Sequence, residues 1–428
     1  MRALGDPQRS APSIHITGSK GKGSVATMAA AILRSQGRSV GLYTSPHLVS
    51  YRERMRVDGR PIPRDEVARR LVTIERVAAR LESTGAIERR PTFFEVTTAL
   101  AFSWFASRRV DALVVEVGIG GRWDATNLLA SRVGVITSLE LEHTDILGPT
   151  VAAIAGEKAG ILHPGMAGVL GELPPEGRAV VRAAAAEAGV DLWEVPSQIG
   201  VRERRATPRG QSFVASWPGV PAMPVRIPLA GDVQAANAAI ALAACDRFLR
   251  AEGGRLDRRA AAAALARTDV PGRLDRLGRR PWVYLDVAHT PESVRAAVRS
   301  LKERHPDHDP DRSAVVFGCL RGKRHETMLG LLRPFARTAV LVPVPSERGL
   351  PTETLRPAAR REFPTVLVAA DAPQGLRWAR AAVPPDGWVL AIGSDYLVGE
   401  ILRARRPSAA VGEPDLSDPG RTGPGGRR

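Results

Sequence analysis

The sequence of 428 residues is short of cysteine, aromatic side chains, lysine and long apolar runs, and each shortage excludes something. Two cysteines, Cys245 and Cys319, cannot build a disulfide framework, and their apolar settings (ALAACDRF and VVFGCL) mark them as reduced core residues. No apolar run reaches the roughly 20 residues that a membrane span requires. No charged-then-apolar leader opens the sequence either, so a cytoplasmic location is expected. Aromatic residues make up 5%, too few for a base-stacking surface. That counts against nucleic acid as the reason for a net charge of +16, which an anionic small substrate or a coding bias explains equally well. The bias shows in the basic residues: of 61, only five are lysines, at positions 20, 22, 158, 302 and 323. A lysine retained in such a background can mark chemistry closed to a guanidinium.

What is present suits a folded enzyme. Apolar residues at 44% and charged residues at 25% are ordinary for a globular chain, and the length allows two domains and a tail. The organising stretch is Ser13-Ile-His-Ile-Thr-Gly-Ser-Lys-Gly-Lys-Gly-Ser24. It predicts a strand, a glycine-studded turn and a helix from Ser24 to about Gln36. Glycines let backbone N–H groups curl around an anion, and the helix N-terminus adds a positive dipole. The pattern is a variant phosphate loop in which Gly21, Lys22, Gly23 and Ser24 hold phosphates.

Three further strand ends carry polar residues. Ser39–Tyr43 leads to Ser45. The apolar run Val110–Val117 contains Glu116, whose burial demands either a salt bridge or a metal ion. Val133–Thr137 leads to His143. Carboxyl ends of strands are where open α/β sheets place ligands, so a shared Mg²⁺ site is the favoured reading, histidine being an unusual ligand for so hard a cation. Helical patterns cover Arg64–Ser83, Phe94–Ser107 and Thr150–Ala159. Phe93-Phe94 at one helix start suits a hydrophobic staple or a stacking surface. Lys158 near a helix end suits a dipole partner or, when buried and neutral, a CO₂ adduct that binds metal. Short β-like pieces from about Pro196 to Pro228 predict a small antiparallel insertion, and Gly231–Asn237 leads into an alanine-rich helix.

Beyond a boundary near Arg273–Pro281, strands at Trp282–Val287, Ser313–Gly318, Thr338–Val344, Thr365–Ala370 and Trp388–Ile392 alternate with helical patterns, predicting a second, smaller, largely parallel α/β domain. The expected division is 1–272, 273–406 and a disordered Pro/Gly/Arg-rich tail, 407–428. The first dozen residues leave almost no room for an element.

Taken together these stretches resemble the folylpolyglutamate synthase/dihydrofolate synthase family, a branch of the Mur ligase superfamily. Gly18-Ser-Lys-Gly-Lys-Gly-Ser24 is similar to its G-T-N-G-K-G-S loop. Thr44-Ser-Pro-His-Leu48 with Glu53-Arg-Met-Arg-Val-Asp-Gly59 is similar to T-S-P-H-L…E-R-I-R-I-N-G, and Glu116–Asn127 to E-V-G-L-G-G-R-L-D-A-T-N. Glu157–Ile161, Pro271-Gly-Arg273, Asp286–His289 and Gly393–Val398 also fit family positions. The resemblance implies a P-loop NTPase-like domain with a predominantly parallel sheet followed by a Rossmann-like α/β domain. It implies an ATP-dependent ligase in which a pterin-bearing carboxylate becomes an acyl phosphate and is opened by the amine of glutamate. On that likeness Asn237, Arg273 and Asp286 join the loop in holding ATP, and Ser45, Glu116 and His143 hold Mg²⁺, with two ions and K⁺ in the site. Lys158 is carboxylated; Lys22, Lys158 and His289 are catalytic. Phe93, Phe94, Trp123, Asp124 and Ala125 line the pteroate site, and Ser394 helps His289 place glutamate. The partners implied are small molecules acting on a monomer, without nucleic acid or membrane.

The sequence departs from the family at Lys20 (asparagine there), Val287 (glycine) and Thr290 (asparagine). The family also carries a longer helical segment before its loop, part of which touches the pterin, so pterin recognition is expected to be altered or the chain to begin earlier. Two rival readings are a Mur-type ligase for another carboxylate, such as a cell-wall peptide precursor, and a basic ATP-gated nucleic-acid-binding protein. T-S-P-H-L and G-G-R-x-D-A-T-N favour the folate branch over the first, and the scatter of arginines disfavours the second.

Overall fold

The computed structural model describes residues 1–207 and 209–405; the tail expected from 407 lies outside the described residues. Strands β1 (Ser13–Thr17), β2 (Val40–Tyr43), β3 (Met55–Val57), β4 (Arg60–Pro61), β5 (Ala112–Glu116), β6 (Val133–Ile136), β7 (Ala167–Leu170) and β8 (Asp191–Glu194) form one sheet, ordered β4-β3-β2-β5-β1-β6-β7-β8. Along β2-β5-β1-β6-β7-β8 all neighbours run parallel, while β3 pairs antiparallel with both β2 and β4. The helices in this part are α1 (Lys22–Ser35), α2 (Arg64–Ser83), α3 (Phe93–Ser107), α4 (Thr144–Leu147), α5 (Val151–Ala159) and α6 (Pro175–Glu187). The strands β1, β5 and β6 are buried along their whole length, as covered parallel strands require.

An antiparallel insertion of β9 (Gly200–Thr207), β10 (Gly210–Trp217) and β11 (Val220–Ile227) follows, then α7 (Asp232–Ala251) and α8 (Arg258–Leu265). Helix α7 is buried almost all round, from Ala238 to Leu249. Its run of alanines lets its backbone lie close to α1, so both helices share one core with Ile14, Ile16 and Val135.

The second sheet of this kind comprises β12 (Asp275–Arg279), β13 (Trp282–Asp286), β14 (Ser313–Phe317), β15 (Thr338–Leu341), β16 (Thr365–Val368) and β17 (Trp388–Ile392), ordered β12-β13-β17-β14-β15-β16. Only β12 is antiparallel to its neighbour. Helices α9 (Pro291–Arg304), α10 (His325–Leu332), α11 (Thr352–Glu362), α12 (Ala372–Ala381) and α13 (Asp395–Arg405) cover it. Polar contacts join this lobe to the insertion: Arg304 donates to Pro228 O at 2.7 Å, Arg204 pairs with Glu303 at 2.8 Å, and Arg299 with Asp232 at 3.0 Å. On another side Gly399 lies so close to Leu48 that a Cβ would stand 2.2 Å from its carbonyl oxygen.

Two regions differ from expectation. Residues 1–12, read as too short for an element, form two 3₁₀ turns at Arg2–Leu4 and Pro7–Arg9, and Met1, Leu4 and Ala11 pack on the core beside α3. The β7-α6-β8 unit escaped notice because its strands are four residues each and its helix is alanine-rich without strong periodicity. The loop Tyr51–Pro63 contains a 3₁₀ turn closed by a capping box between Ser50 and Glu53 before the β3/β4 ribbon. Among the described residues no helix is long and apolar enough to cross a membrane.

Candidate active site

The turn after β1 is held by the residues that follow the neighbouring strand β6. Ser138 Oγ accepts from Lys20 N at 2.9 Å, Thr137 Oγ1 donates to Lys20 O at 2.5 Å, and Ser19 N donates to Ser138 O at 2.8 Å. Gly18 (φ +143°) and Gly21 (φ +86°) take conformations that favour glycine, and a Cβ on Gly18 would stand 2.0 Å from Thr137 Oγ1. Gly21 caps α1, so the first N–H groups of that helix open toward Asn237, whose Oδ1 would lie 2.7 Å from a Cβ on Gly21. Lys22 Nζ donates to Gly18 O at 2.8 Å.

Gly21, Ser24, Asn237, Arg273 and Asp286 line a single cavity of about 480 Å³ between the lobes, together with Lys20 and the start of α9. Asp286 is buried, its two oxygens accepting from Leu274 N at 2.9 Å and Ala288 N at 2.8 Å. Burial raises its pKa, against the pull of Arg273. Five of the residues expected around the nucleotide therefore converge.

Of the three expected metal ligands, two meet. Glu116 is 4% exposed, one oxygen accepts from Ser45 N at 3.0 Å, and Gly23 lies against its carboxylate. Burial pushes its pKa up, with Lys22, Ser45 N, Arg273 and Arg54 acting against it. His143 is exposed, seven residues beyond β6 at the N-cap of α4, where φ is 48°. Among the described residues no three His, Cys, Asp or Glu side chains cluster in a way that could hold a metal ion.

Lys158 is 2% exposed, and its Nζ donates to Glu142 Oε1 at 3.3 Å. Burial and the charge of Lys22 lower its pKa to about 8. Lys20 approaches the other oxygen of Glu142 at 3.8 Å. Burial would raise Glu142, but Lys22, Lys158 and Lys20 together hold it below the ordinary carboxylate range. Glu142 escaped the sequence reading because acids alternate with leucine in Ser138–His143 and nothing singles one out; the convergence of three scarce lysines upon it is what identifies it.

The loop Val117–Asn127 contributes a wall of a second cavity. Arg122 N donates to Glu157 O at 2.9 Å, and a Cβ on Gly121 would stand 2.9 Å from Lys158 O, so the loop lies on the end of α5 that carries Lys158. Its other side forms, with α2, α3 and the first residues, a cavity of about 660 Å³ lined by Trp123, Asp124 and Ala125 and by Met1, Ala3 and Leu4. The Trp123 side chain is 85% exposed. Asp124 is held from both sides: Oδ2 accepts from Gly118 N (3.0 Å) and Ile119 N (3.1 Å), Oδ1 from Thr126 N (2.9 Å) and Thr126 Oγ1 (2.6 Å). Burial raises its pKa against those bonds. Behind Thr126 stands His15, fully buried at 2.8 Å from its hydroxyl, with burial taking its pKa down to about 3. Phe93 and Phe94 do not line this cavity. Phe93 packs on Tyr51 with Arg54 over its ring, and Phe94 packs on Tyr43 and against Gly118.

In the second lobe, His289 Nδ1 lies 2.9 Å from Val287 O, and burial with the charges of Lys323 and Lys20 takes its pKa to about 4. Ser394 is 1% exposed and accepts from Tyr396 N at 3.1 Å. Lys323 and Asp395, both electrostatic neighbours of His289, were not singled out from the sequence, though the scarcity of lysine was a usable sign for the first.

The chain is similar to known proteins over most of its length. Residues 16–245 match the Mur ligase middle domain and residues 272–395 the Mur ligase, glutamate ligase domain. The chain is 37% identical, over 85% of its length and 76% of the relative's, to the dihydrofolate synthase/folylpolyglutamate synthase of Mycobacterium tuberculosis. A solved structure of Mycobacterium tuberculosis folylpolyglutamate synthase complexed with ADP superposes with a TM-score of 0.84 at 34% identity, covering 95% of this chain and 92% of that one. E. coli FolC in complex with DHPP and ADP superposes with a TM-score of 0.81 at 28% identity, covering 95% and 92%.

Proposed function

The chain belongs to the Mur ligase family, in its folylpolyglutamate synthase/dihydrofolate synthase branch, and we propose that it uses ATP to join L-glutamate to a pterin-bearing carboxylate, dihydropteroate, tetrahydrofolate or both. The observation that carries this reading is the single cavity to which the phosphate loop and Asn237 contribute from one lobe and Arg273 and Asp286 from the other. ATP entering there is held by residues that only the assembled lobes bring together, which shields an acyl phosphate from water. The 660 Å³ cavity walled by Trp123 to Ala125 and the first residues is the pterin pocket. Phe93 and Phe94 act from the adjoining aromatic cluster. His289 and Ser394 place glutamate, and His289, kept neutral, can accept a hydrogen bond from its amine.

Glu116 fits a divalent cation: it is a buried carboxylate with one oxygen hydrogen-bonded to Ser45 N and, among the described residues, none shown on the other. In this reading Ser45, Glu116 and His143 hold Mg²⁺, carboxylated Lys158 holds a second ion, and K⁺ has a place in the same cleft. Mg²⁺ supplies charge neutralisation for the transferring phosphoryl group. Lys158 suits carboxylation because burial favours its neutral amine, the form that adds CO₂. The functional division is 1–272 for nucleotide and pterin and 273–406 for glutamate, in a cytoplasmic monomer that acts on small molecules and not on nucleic acid.

The test is an assay of the purified protein with ATP, Mg²⁺ and glutamate, offering dihydropteroate and tetrahydrofolate separately. ADP release that requires glutamate together with one of the two pterins is the expected result. ADP release indifferent to both pterins would exclude the reading.

A further inference from the structure

Two lysines of the phosphate loop sit one residue apart, and only Lys22 occupies a place with an expected role. Lys20 differs from a surface lysine in three ways. Its backbone is immobilised, since N and O both bond to side chains of Thr137 and Ser138, and the flanking Ser19 Oγ accepts from Glu140 N at 2.9 Å. Its side chain lines the nucleotide cavity with Gly21, Ser24, Asn237, Arg273 and Asp286. Its charge is felt by Glu140, Glu142, Lys158 and His289, which places the ammonium on the side of the cleft where the reacting groups lie.

Among the described residues its ion-pair partner is Glu142, at 3.8 Å, with both side chains partly exposed. An ion pair of that length and exposure is weak, so it holds the ammonium lightly. Glu142 is also shared: Lys158 bonds its other oxygen at 3.3 Å, and Lys22 acts on it electrostatically. Three cations thus face one carboxylate at the mouth of a cavity. With its Cα fixed, only the flexible four-carbon stem of Lys20 has to turn for the ammonium to meet an incoming anion.

We propose that Lys20 is a second phosphate-binding lysine, parked on Glu142 in the open site and transferred to the γ-phosphoryl group of ATP on binding. The proposal rests on the ATP-dependent reading of this cleft but not on the identity of the carboxylate substrate. Loss of a charge-assisted contact to one phosphoryl group weakens binding of a triphosphate by about tenfold; a diphosphate, which lacks that group, is spared.

The experiment measures dissociation constants of ADP and of the non-hydrolysable analogue AMPPCP, with Mg²⁺ present, for the full chain and for Lys20→Gln and Lys20→Arg. Lys20→Gln is expected to weaken AMPPCP about tenfold while ADP stays within about twofold. Lys20→Arg is expected to recover most of the AMPPCP loss because it restores the cation. Thermal melting of each variant checks the loop's integrity. Equal weakening of both nucleotides by Lys20→Gln would assign Lys20 to loop structure, and no weakening of either would leave it a neutraliser of Glu142; each outcome overturns the proposal. Because no pterin is added, failure of the folate reading leaves this result interpretable.

Discussion

The nucleotide cleft and the cavity walled by the Val117–Asn127 loop are built on different physical principles. The nucleotide cleft is made from backbone geometry and ionisable groups: left-handed glycines, a helix N-terminus, and the charges of Lys20, Arg273 and Asp286. Its precision is preset, because Thr137 and Ser138 hold the loop before any ligand arrives. The neighbouring cavity is lined chiefly by apolar side chains from α2, α3 and the first residues, and its largest aromatic, Trp123, stands in solvent. Phosphate recognition needs charges at fixed points, where small displacements matter greatly. A flat aromatic ligand needs area, which many side chains supply interchangeably. Substitutions should therefore act abruptly in the first cavity and gradually in the second.

The largest effects are expected at Lys22 and Glu116. Lys22→Ala and Glu116→Ala should each reduce ADP release by about 10²–10³-fold or more while circular dichroism stays native. Near-normal turnover in either would erase the contrast between the cavities. Lys158 comes next: Lys158→Arg should be inactive and Lys158→Ala partly rescued by short carboxylates, since a guanidinium stays protonated and cannot take up CO₂. Full activity of Lys158→Arg would remove the carbamate. At Gly18 the effect should be on stability, with Gly18→Ala lowering the unfolding free energy by about 1–3 kcal/mol in denaturant titrations, because the new Cβ collides with Thr137 Oγ1. Trp123→Ala should do least, raising KM for the pterin about 3- to 10-fold with ATP affinity unchanged, the worth of one aromatic contact. A complete loss of activity there would mean that the second cavity is as tightly specified as the first.

A pH series sharpens the comparison from outside the cleft. His305 and His308 pack among Trp282, Tyr284, Phe335 and Trp388, and burial takes both pKa values down to about 4. Their folded pKa values lie below the unfolded value of 6.5, so the unfolded chain binds more protons between about pH 6.5 and 4. Stability is full above that window and falls through it as the pH drops. Denaturant midpoints at pH 7.5 and 5 should show this loss; a midpoint that rises on acidification would contradict it.

The sequence by itself determined the alternation of strand and helix, the phosphate loop, and the placing of Ser45, Glu116, Asp286 and Ser394 at or just beyond strand ends. These follow from local rules: glycine where the chain must turn left-handed, unbroken apolar runs for covered parallel strands, and polar residues where such strands end. Tertiary structure alone decided the rest. Glu142 became the meeting point of Lys20, Lys22 and Lys158 only because the segment after β6 folds back over the loop after β1. Met1 and Leu4 became cavity wall because they pack beside α3, about 90 residues away in the chain. Phe93 and Phe94 fell outside that cavity because Tyr43, Tyr51 and Gly118 offered them closer packing. Contacts between distant segments carry no periodicity, so they are specified by how the elements pack and not by any one stretch of residues.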